Sequence, residues 1–506
     1  MGSIRHADDT MTTSSQCAQT IPPCSGRVIL VTGATGYVGS RLLRTLEAVG
    51  ARVRCLVRVG GAKCLAVGAN TEVMETDLLN PAALRAAMQN VHTAYYLIHS
   101  MKDPGDFEEK DRQLASAFAT SAREARVRRI IYLGGLAHGN SLSKHLASRQ
   151  EVGSILRESG VPTIEFRASV IIGAGSISFE MVRSLVERLP IMVTPLWVSM
   201  PAQPISIEDV IAYLIAALDL EDGQCRIFEI GGADRVSYLG LMQEYCRQRG
   251  LRCIMIPVPV LTPWLSSLWL RLMTPLQARV GRKLIEGVRN DTTVKDDGAA
   301  RVFSIHPRGT REAIAQALAE EDRQFLHTRW MHTAISRQNR RPWGGVRSGS
   351  RIVDARSVQV PHPPSAAFRP IQRIGGRRGW YYVDWMWRLR ALIDSAVGGV
   401  GMRRNYSDQR TLAPGDIVDF WRVEAIEPNH LLRLVAEMKL PGRAWLQFEV
   451  AGDDRHSTVT QTAIFDPVGL TGLLYWYLTY PIHTIIFAGM LRAIAKRIEQ
   501  ERRLDT

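Results

Sequence analysis

The sequence feature that most constrains the fold is a glycine-rich turn between a short apolar run and an amphipathic stretch. Residues 28–31 are apolar, residues 32–39 read TGATGYVG, and residues 41–46 have helical spacing. A backbone that turns sharply from a strand into a helix needs glycines, and the N-terminus of that helix offers N–H groups and a positive dipole end to a pyrophosphate. The pattern therefore predicts a phosphate-binding loop formed by Gly33, Thr35, Gly36, Tyr37, Val38 and Gly39.

The segments that follow alternate between strand-like and helical patterns. Short apolar runs recur as far as residue 172, and a helical pattern over 106–125 lies between two of them. Strands that alternate with helices predict βαβ units and, with right-handed crossovers, a doubly wound parallel sheet. We therefore expect an α/β dinucleotide-binding domain with a small substrate lobe over residues 27–325, after a disordered polar tail over residues 1–26.

The residues at the ends of the next strands indicate which nucleotide this domain binds. A fold that binds NAD usually has an acidic residue after the second strand, where it bonds the ribose 2′-hydroxyl. Here Arg58 occupies that place, and no acid occurs between Val49 and Asn70. A guanidinium suits a 2′-phosphate, so NADP(H) is favoured over NAD(H). We expect Asp77 and Leu78 to hold the adenine. His99 either lines the nicotinamide ribose or is an ordinary structural histidine.

Residues 27–230 resemble the extended or atypical short-chain dehydrogenase/reductase superfamily, and its NmrA-like branch most of all. The resemblance rests on the loop described above and on residues 56–58, 77–78, 129–134 and 205–210. It implies a Rossmann fold and a nicotinamide cofactor. The same residues are also similar to the accessory subunit of respiratory complex I that holds NADPH.

The catalytic set of that superfamily is missing from this sequence. Its enzymes use a Ser and a Tyr-x-x-x-Lys pair, and no tyrosine here has a lysine four positions later. His145 and Arg149 occupy the expected place. An imidazole can relay a proton near neutral pH, and an arginine can hold the ribose as a fixed cation. The alternative is a helix face without chemistry, so the sequence leaves open whether the protein is an enzyme.

The second half of the chain has a different character. Residues 326–350 read as a basic linker, residues 379–394 as an aromatic helix, and residues 416–466 as an antiparallel meander with three turns. Residues 351–506 resemble the START or polyketide-cyclase-like helix-grip superfamily, and more closely an uncharacterised family that follows NmrA-like dehydrogenases. The resemblance rests on residues 375–387, 419–423, 441–446 and 475–483.

Such a fold wraps an antiparallel sheet around a long C-terminal helix and can hold an apolar small molecule between them. The candidate lining residues are Trp380, Trp385, Trp421, Trp445 and Trp476, and the alternative is that they fill an ordinary core. The last apolar segment, residues 467–491, has no charged residue. It is long enough to span a bilayer, but Pro481 interrupts it. Burial against the sheet is favoured over a peripheral or spanning membrane role.

The charge and the cysteines restrict the remaining possibilities. The net charge is +14, and twelve arginines against one acid over residues 323–378 account for +11 of it. The excess therefore marks one strip between the domains, and no aromatic-basic motif indicates nucleic-acid binding. The seven cysteines show no C-x-x-C spacing, which argues against a metal site or a disulfide framework. A cytoplasmic location, with or without membrane association, fits this usage.

Two hypotheses follow from these observations. The first is an NADP(H)-dependent oxidoreductase that acts on a hydrophobic carbonyl, quinone or isoprenoid-like molecule, which the C-terminal domain helps to hold. The second is a non-catalytic NADP(H)-binding sensor or an accessory protein.

Overall fold

The structure is a computed structural model, and it describes residues 26–99, 107–139, 142–188, 191–220, 223–258, 290–327, 343–348, 350–402 and 412–505. The predicted tail, apart from Gly26, and residues 328–342 of the predicted linker lie outside these ranges. The chain forms two compact units. The first contains the described residues up to Gly134 together with Ser148–Arg167 and Ile211–Phe228, and the second contains Gly135–Ala147, Ala168–Val210 and the residues from Glu229 onward.

The strands up to residue 258 are mostly short, and those up to residue 172 correspond to the predicted strand-like runs. They are β1 (Val28–Thr32), β2 (Arg52–Val57), β3 (Thr71–Glu75), β4 (Val91–Tyr96), β5 (Arg129–Gly135), β6 (Thr163–Ala168), β7 (Ile171–Ile172), β8 (Ile191–Pro195), β9 (Pro201–Ala202), β10 (Ile205–Ser206), β11 (Arg226–Ile230), β12 (Val236–Ser237) and β13 (Ile254–Val258).

The helices between and after these strands are α1 (Tyr37–Ala48), α2 (Pro81–Ala87), α3 (Phe107–Glu124), α4 (Lys144–Arg157), α5 (Ile177–Arg188), α6 (Ile207–Ala216), α7 (Tyr238–Gln248), α8 (Gly298–Val302) and α9 (Thr310–His327).

The first sheet has the strand order β11-β6-β5-β4-β1-β2-β3. The pairings of β1 with β2 and β4, of β2 with β3, and of β4 with β5 are parallel. This order, with β1 at the point where the winding reverses, is that of a doubly wound Rossmann sheet. Every residue of β1 is buried, as expected of a parallel strand covered on both faces. The predicted fold class of the first domain is confirmed.

Aromatic and aliphatic side chains form the core of the first unit. Tyr96 on β4 packs edge-on against Phe118 of α3, with ring centroids 4.9 Å apart, and lies 6.0 Å from the ring of Tyr132 on β5. Both tyrosines are fully buried, and burial raises the pKa of each hydroxyl. The two phenols therefore stay protonated near neutral pH.

The second unit begins with short paired strands and helices. β7 pairs with β10 and β8 with β13 in parallel, and β9 pairs with β12 in antiparallel. Helices α5, α7 and α9 enclose a core around Phe179, Tyr245 and Ile314. We call this region the lobe, since it corresponds to the predicted substrate lobe.

In its remaining described residues, the second unit is an antiparallel sheet with three α-helices. Its strands are β14 (Val346–Ser348), β15 (Arg351–Val360), β16 (Ile417–Val418), β17 (Trp421–Glu427), β18 (Leu431–Ala436), β19 (Gly442–Gly452) and β20 (Ser457–Pro467), and its helices are α10 (Pro364–Phe368), α11 (Asp384–Ala396) and α12 (Gly469–Asp505). The strand order is β14-β15-β20-β19-β18-β17-β16, with antiparallel neighbours. The predicted meander and long C-terminal helix are confirmed. β14 lies within the range predicted as a linker. Its residues pair with β15, so this part of the range belongs to the sheet.

Helix α12 continues through Pro481 and packs one face on the sheet. Its residues Phe487, Met490 and Ile494 are buried in the same core as Trp380 and Trp421. Trp476 and Trp445 are also buried, whereas the indole of Trp385 is 62% exposed. Four of the five tryptophans proposed to line a ligand space are thus packed against core side chains, and Trp385 faces outward. The assignment to the START-like superfamily stays a prediction.

Ion pairs, some buried and some exposed, join the lobe to the C-terminal sheet within the second unit. Arg249, which directly follows α7, lies 2.9 Å from a carboxylate oxygen of Asp466 on β20. Arg443 of β19 pairs with the same carboxylate and with Asp322 of α9. Arg351, which belongs to the basic strip seen in the sequence, also pairs with Asp322. We call Arg249, Asp322, Arg351, Arg443 and Asp466 the ionic joint.

Candidate functional site

The predicted nucleotide-binding residues follow four neighbouring strands of the first sheet. The loop 33–39 follows β1, Arg58 follows β2, Asp77 lies just after β3, and His99 lies just after β4. Because these strands are parallel, their carboxyl ends lie at the same edge of the sheet. All four positions belong to the first unit. The structure thus brings the predicted residues to one edge.

The glycines of the loop are required by close backbone contacts. Gly33 has a φ of +74°, and a Cβ atom there would lie 2.6 Å from the carbonyl oxygen of Leu97. A Cβ atom on Gly39 would lie 2.2 Å from the carbonyl oxygen of Gly33. The amide of Gly36 donates a 2.8 Å hydrogen bond to that same oxygen. A side chain at either position would push the loop away from the sheet and from the start of α1.

The N-terminus of α1 is suited to an anion. Among the described side chains none caps this helix, and its first turn has no acidic residue. Helix α2 differs, because the Asn80 side chain accepts hydrogen bonds from the amides of Ala82 and Ala83. Thr35 and Gly36 are exposed at the start of α1. The helix therefore presents its positive end to the outside of the sheet edge without a capping group of its own.

Arg58 lies in a turn that hydrogen bonds hold in place. The amide of Gly61 donates to the Arg58 carbonyl oxygen at 2.8 Å, and the amide of Ala62 donates to the carboxylate of Glu75 at 2.9 Å. Hydrogen bonds from the amides of Ala62 and Gly60 hold the pKa of Glu75 below its usual value. Arg58 itself is exposed. The turn thus holds a guanidinium at the rim of the sheet edge.

Asp77 and Leu78 have different environments. The Asp77 carboxylate is exposed and accepts a 3.0 Å hydrogen bond from the amide of Leu79. The side chain of Leu78 is only 7% exposed and packs in the core with Leu56 and Leu84. The polar group of the pair is therefore available at the edge, while the apolar side chain faces inward.

His99 has a carboxylate partner that the sequence did not indicate. Its Nδ1 lies 3.4 Å from a carboxylate oxygen of Asp111 on α3, and Asp111 is 4% exposed. A buried carboxylate beside an imidazole fixes the orientation of the ring. The helical pattern over 106–125 placed Asp111 among many polar residues, and only the fold shows that it turns inward toward β4.

The two residues predicted for catalysis lie on α4. The guanidinium of Arg149 donates to the carbonyl oxygen of Leu133 near the end of β5, and the hydroxyl of Tyr132 donates to the Arg149 carbonyl oxygen at 2.9 Å. His145 is the second residue of α4 and is 9% exposed. Arg149 belongs to the first unit and His145 to the second. A catalytic role of this pair stays a prediction.

The structure also contains a triad of ionic side chains between α4 and β6 that the sequence did not predict. Glu165 on β6 is fully buried and pairs with Arg157 of α4 and with Arg167, whose Nε lies 2.7 Å away. A Cβ atom on Gly153 would lie 2.5 Å from a Glu165 carboxylate oxygen. The glycine therefore gives the carboxylate the space it needs under the helix. No local pattern in the sequence connects these residues.

Models of two protein families match separate parts of the chain. Residues 29–139 match the model of the NAD dependent epimerase/dehydratase family, and residues 347–490 match a family described as protein of unknown function, DUF2867. A curated relative named "Ceramide reductase", from Caulobacter vibrioides, is 31% identical over 193 residues, which are 37% of this chain. The match spans 60% of that relative's length.

Two solved structures are among those similar to part of this chain. The Bordetella bronchiseptica enzyme WbmG in complex with NAD is 17% identical, with a TM-score of 0.47 over 60% of this chain and 96% of that one. The triphenylmethane reductase of Citrobacter sp. complexed with NADP(H) is also 17% identical, with a TM-score of 0.47 over 57% of this chain and 99% of that one.

Proposed function

We propose that the protein is an NADP(H)-dependent reductase that acts on a carbonyl group of an apolar, long-chain substrate. The main support for this proposal is the loop 33–39. Its glycines allow the backbone to approach a phosphate closely, and no described side chain caps the helix that follows. The match of residues 29–139 to the NAD dependent epimerase/dehydratase family supports the same cofactor class. We also propose that residues 27–230 belong to the NmrA-like branch of the short-chain dehydrogenases.

The residues at the sheet edge fit a nicotinamide dinucleotide. Such a cofactor supplies or accepts a hydride when it is bound. The loop glycines and the first turn of α1 would hold its pyrophosphate, and Asp77 would accept a hydrogen bond from the adenine amino group. His99, oriented by Asp111, would line the ribose next to the nicotinamide.

Arg58 supports a preference for NADP(H). It is exposed at the end of β2, where folds that bind NAD usually place an acid. The turn that carries it is tied to Glu75 through the Ala62 amide. A charged pair between a guanidinium and a phosphate contributes about 1.5–3 kcal/mol, which corresponds to about ten- to hundredfold in affinity.

The substrate class follows from the curated relative. That protein is named a ceramide reductase, and ceramides are lipids with long alkyl chains. Our proposal extends this class, a long-chain lipid with a carbonyl group, to the present chain. The match spans 60% of that relative's length, and turnover of a long-chain keto lipid is the assay that tests the substrate class.

A reductase must also deliver a proton to the carbonyl oxygen. We assign this step to His145, and we assign to Arg149 the fixed positive charge that a lysine supplies in related enzymes. The anchoring of Arg149 to the Leu133 carbonyl oxygen keeps this cation at the end of β5.

One observation favours a second function, in which the nucleotide is bound but not used. The sequence has no Tyr-x-x-x-Lys pair. The Arg149 guanidinium also donates to the Leu133 carbonyl oxygen. An arginine with a purely structural role would form the same hydrogen bond. In this case the protein would be an NADP(H)-binding sensor or accessory subunit.

Titration of the purified protein with NADPH and NADH tests the cofactor proposal. We expect tighter binding of NADPH than of NADH, and we expect Arg58→Ala to weaken NADPH binding about ten- to hundredfold while leaving NADH unchanged. Arg44→Ala, which removes another exposed arginine from the same unit, is the matched control. Equal affinities for both nucleotides in the original chain would refute the preference, and no binding of either would refute both functions.

A turnover assay separates the two functions. The original chain is incubated with NADPH and a long-chain keto lipid in detergent micelles, and oxidation of NADPH is followed at saturating nucleotide. The reductase proposal expects turnover that His145→Gln reduces at least hundredfold in kcat while nucleotide affinity stays the same. Tight NADPH binding without turnover of this substrate class would favour the sensor instead.

A further inference from the structure

Helix α12 exposes a long apolar stripe. Its exposed side chains between residues 470 and 485 are uncharged, and the large ones are 46–68% exposed: Leu470, Leu474, Leu478, Ile482 and Ile485. Their spacing of three and four residues places them on one side of the helix. The stripe is about 22 Å long, at 1.5 Å per residue. Such a surface is unfavourable in water, since soluble proteins rarely expose large contiguous apolar patches.

A second apolar face lies on α11. Its inward side chains Trp387, Ala391 and Asp394 are buried. The opposite face carries large apolar side chains that are 47–67% exposed, namely Trp385, Leu389, Leu392 and Ile393. The helix therefore carries large apolar side chains on its exposed face as well as on its buried face. A tryptophan and leucines on the outer face are typical of helices that lie in a membrane interface.

Both helices contribute side chains to the same core. Trp387 of α11 and Phe487 of α12 belong to one buried cluster. Tyr382, just before α11, contacts α12, because a Cβ atom on Gly489 would lie 2.1 Å from its ring. Tyr382 thus connects the start of α11 to α12, and the exposed apolar faces of both helices belong to the second unit. We call these nine exposed side chains, five on α12 and four on α11, the apolar patch.

Basic residues border the apolar patch. Arg492 and Lys496 are exposed and follow Ile485 at spacings of seven and eleven residues, which keeps them on the side of the stripe. Arg388 is exposed next to Leu389 on α11. Apolar side chains flanked by arginine and lysine match a bilayer with anionic headgroups, where the apolar groups enter the interface and the cations meet the phosphates.

The same helix is not free to cross a membrane. Within the part of the chain that the structure describes, residues 469–501 are the one helical stretch long and apolar enough to span a bilayer, but 39% of its most apolar window is buried. Its inner face, with Trp476, Tyr480 and Phe487, packs on the sheet. Spanning would remove these side chains from their core. A helix that is buried on one side and apolar on the other is suited to lie on a membrane.

We propose that the apolar patch docks the second unit onto the surface of an anionic lipid bilayer. The apolar side chains insert into the interface, and Arg388, Arg492 and Lys496 contact the headgroups. This inference rests on surface residues only, so it stands whether or not the first unit binds a nucleotide.

Co-sedimentation of the full chain with vesicles tests the proposal. The vesicles contain phosphatidylcholine alone or with about a third phosphatidylglycerol. We expect binding to the anionic vesicles, and at least tenfold weaker partitioning after the double change Leu474→Gln with Leu478→Gln, and again after Leu389→Gln with Leu392→Gln. Arg492→Ala with Lys496→Ala should weaken binding to anionic vesicles and reduce its dependence on salt, while Arg388 keeps part of that dependence.

The control replaces an exposed apolar residue outside the patch, by Val302→Gln, and should leave binding unchanged. All changed positions are exposed, so the thermal unfolding temperature should stay the same and shows whether each variant is folded. The proposal is overturned if the original chain does not bind anionic vesicles, or if the patch variants bind as well as it does. It is also overturned if sedimentation shows a dimer that the patch variants break, since a second copy would then cover this face.

Discussion

The ionic joint gives the sharpest prediction about stability. Asp466 is 1% exposed, and its carboxylate contacts Arg249 at 2.9 Å and Arg443 at 2.8 Å. The two guanidinium groups lower the pKa of Asp466 to about 2 against the opposing effect of burial. We predict that in the Asp466→Asn variant the lobe separates from the C-terminal sheet more easily than in the original chain. The reason is that a neutral amide cannot balance the charges of Arg249 and Arg443.

The magnitude follows from the pKa and from the burial of the partners. A pKa of about 2 against an ordinary value of 3.8 corresponds to about 2.5 kcal/mol, at about 1.4 kcal/mol per pH unit. Loss of one partner from a buried pair costs about 3–5 kcal/mol. Glu187 lies 3.6 Å from Arg249, and Arg443 keeps Asp322, so part of the charge stays balanced. We therefore expect about 3 kcal/mol at pH 7.

Hydrogen–deuterium exchange measures this local loss without assuming two-state unfolding of a chain with two compact units. A cost of about 3 kcal/mol predicts roughly hundredfold faster exchange in peptides from α7 and β20. Glu244→Gln removes a carboxylate from an exposed pair with Arg247 on the same α7 and should change exchange less than about fivefold. If Asp466→Asn accelerates exchange no more than Glu244→Gln does, the ionic joint does not hold the two parts together.

Three further predictions concern the loop, a buried histidine and the ion triad. Gly39→Ala should weaken nucleotide binding at least hundredfold in calorimetric titration, because its Cβ would meet the Gly33 carbonyl oxygen, whereas Gly240→Ala, where the nearest atoms are 3.6 Å away, should not. Burial lowers the pKa of His483 to about 4. The folded state favours the neutral imidazole, so its contribution to the free energy of unfolding is complete above about pH 6.5 and is lost as the pH falls toward 4. The loss is about 3 kcal/mol in total. In pH-dependent denaturation of the second unit, His483→Phe should remove this dependence of stability on pH. Gly153→Ala should destabilise the first unit by about 1–3 kcal/mol in urea denaturation, since its methyl group would press on the Glu165 carboxylate, and an unchanged midpoint would contradict this.

The sequence predicts well whatever depends on neighbours along the chain. The turn 32–39 specifies a strand before it and a helix after it, and the structure has β1 and α1 at those places. The turns within 416–466 likewise separate the strands of the second sheet. Each of these turns is formed by consecutive residues, so its chemistry is visible in the sequence itself.

Contacts between distant residues escape such an analysis. Asp111 and Glu165 are both buried carboxylates with partners on other elements. Each occurs in a stretch whose pattern fits an ordinary helix or strand. Their burial depends on which elements the sheet order places side by side, and this order arises from crossovers that no local pattern encodes.

The apolar segment 467–491 shows a related limit. Its composition indicates a helix surrounded by apolar groups, which is equally consistent with burial and with a membrane. The structure confirms burial for Trp476 and Tyr480, while Leu474 and Leu478 on the other side are exposed. A residue count cannot distinguish the two faces, because the sheet covers only one of them.

The basic strip over residues 323–378 shows why net charge alone does not identify a partner surface. Arg351 is 2% exposed and paired with Asp322, and Arg356 is 4% exposed and paired with Asp354. These cations are neutralised inside the second unit, so they add nothing to attraction at its surface. The residues that border the apolar patch, Arg492 among them, lie outside the strip and are exposed. The charge that matters for a membrane is therefore a small, local part of the total, and its effect requires the apolar side chains beside it.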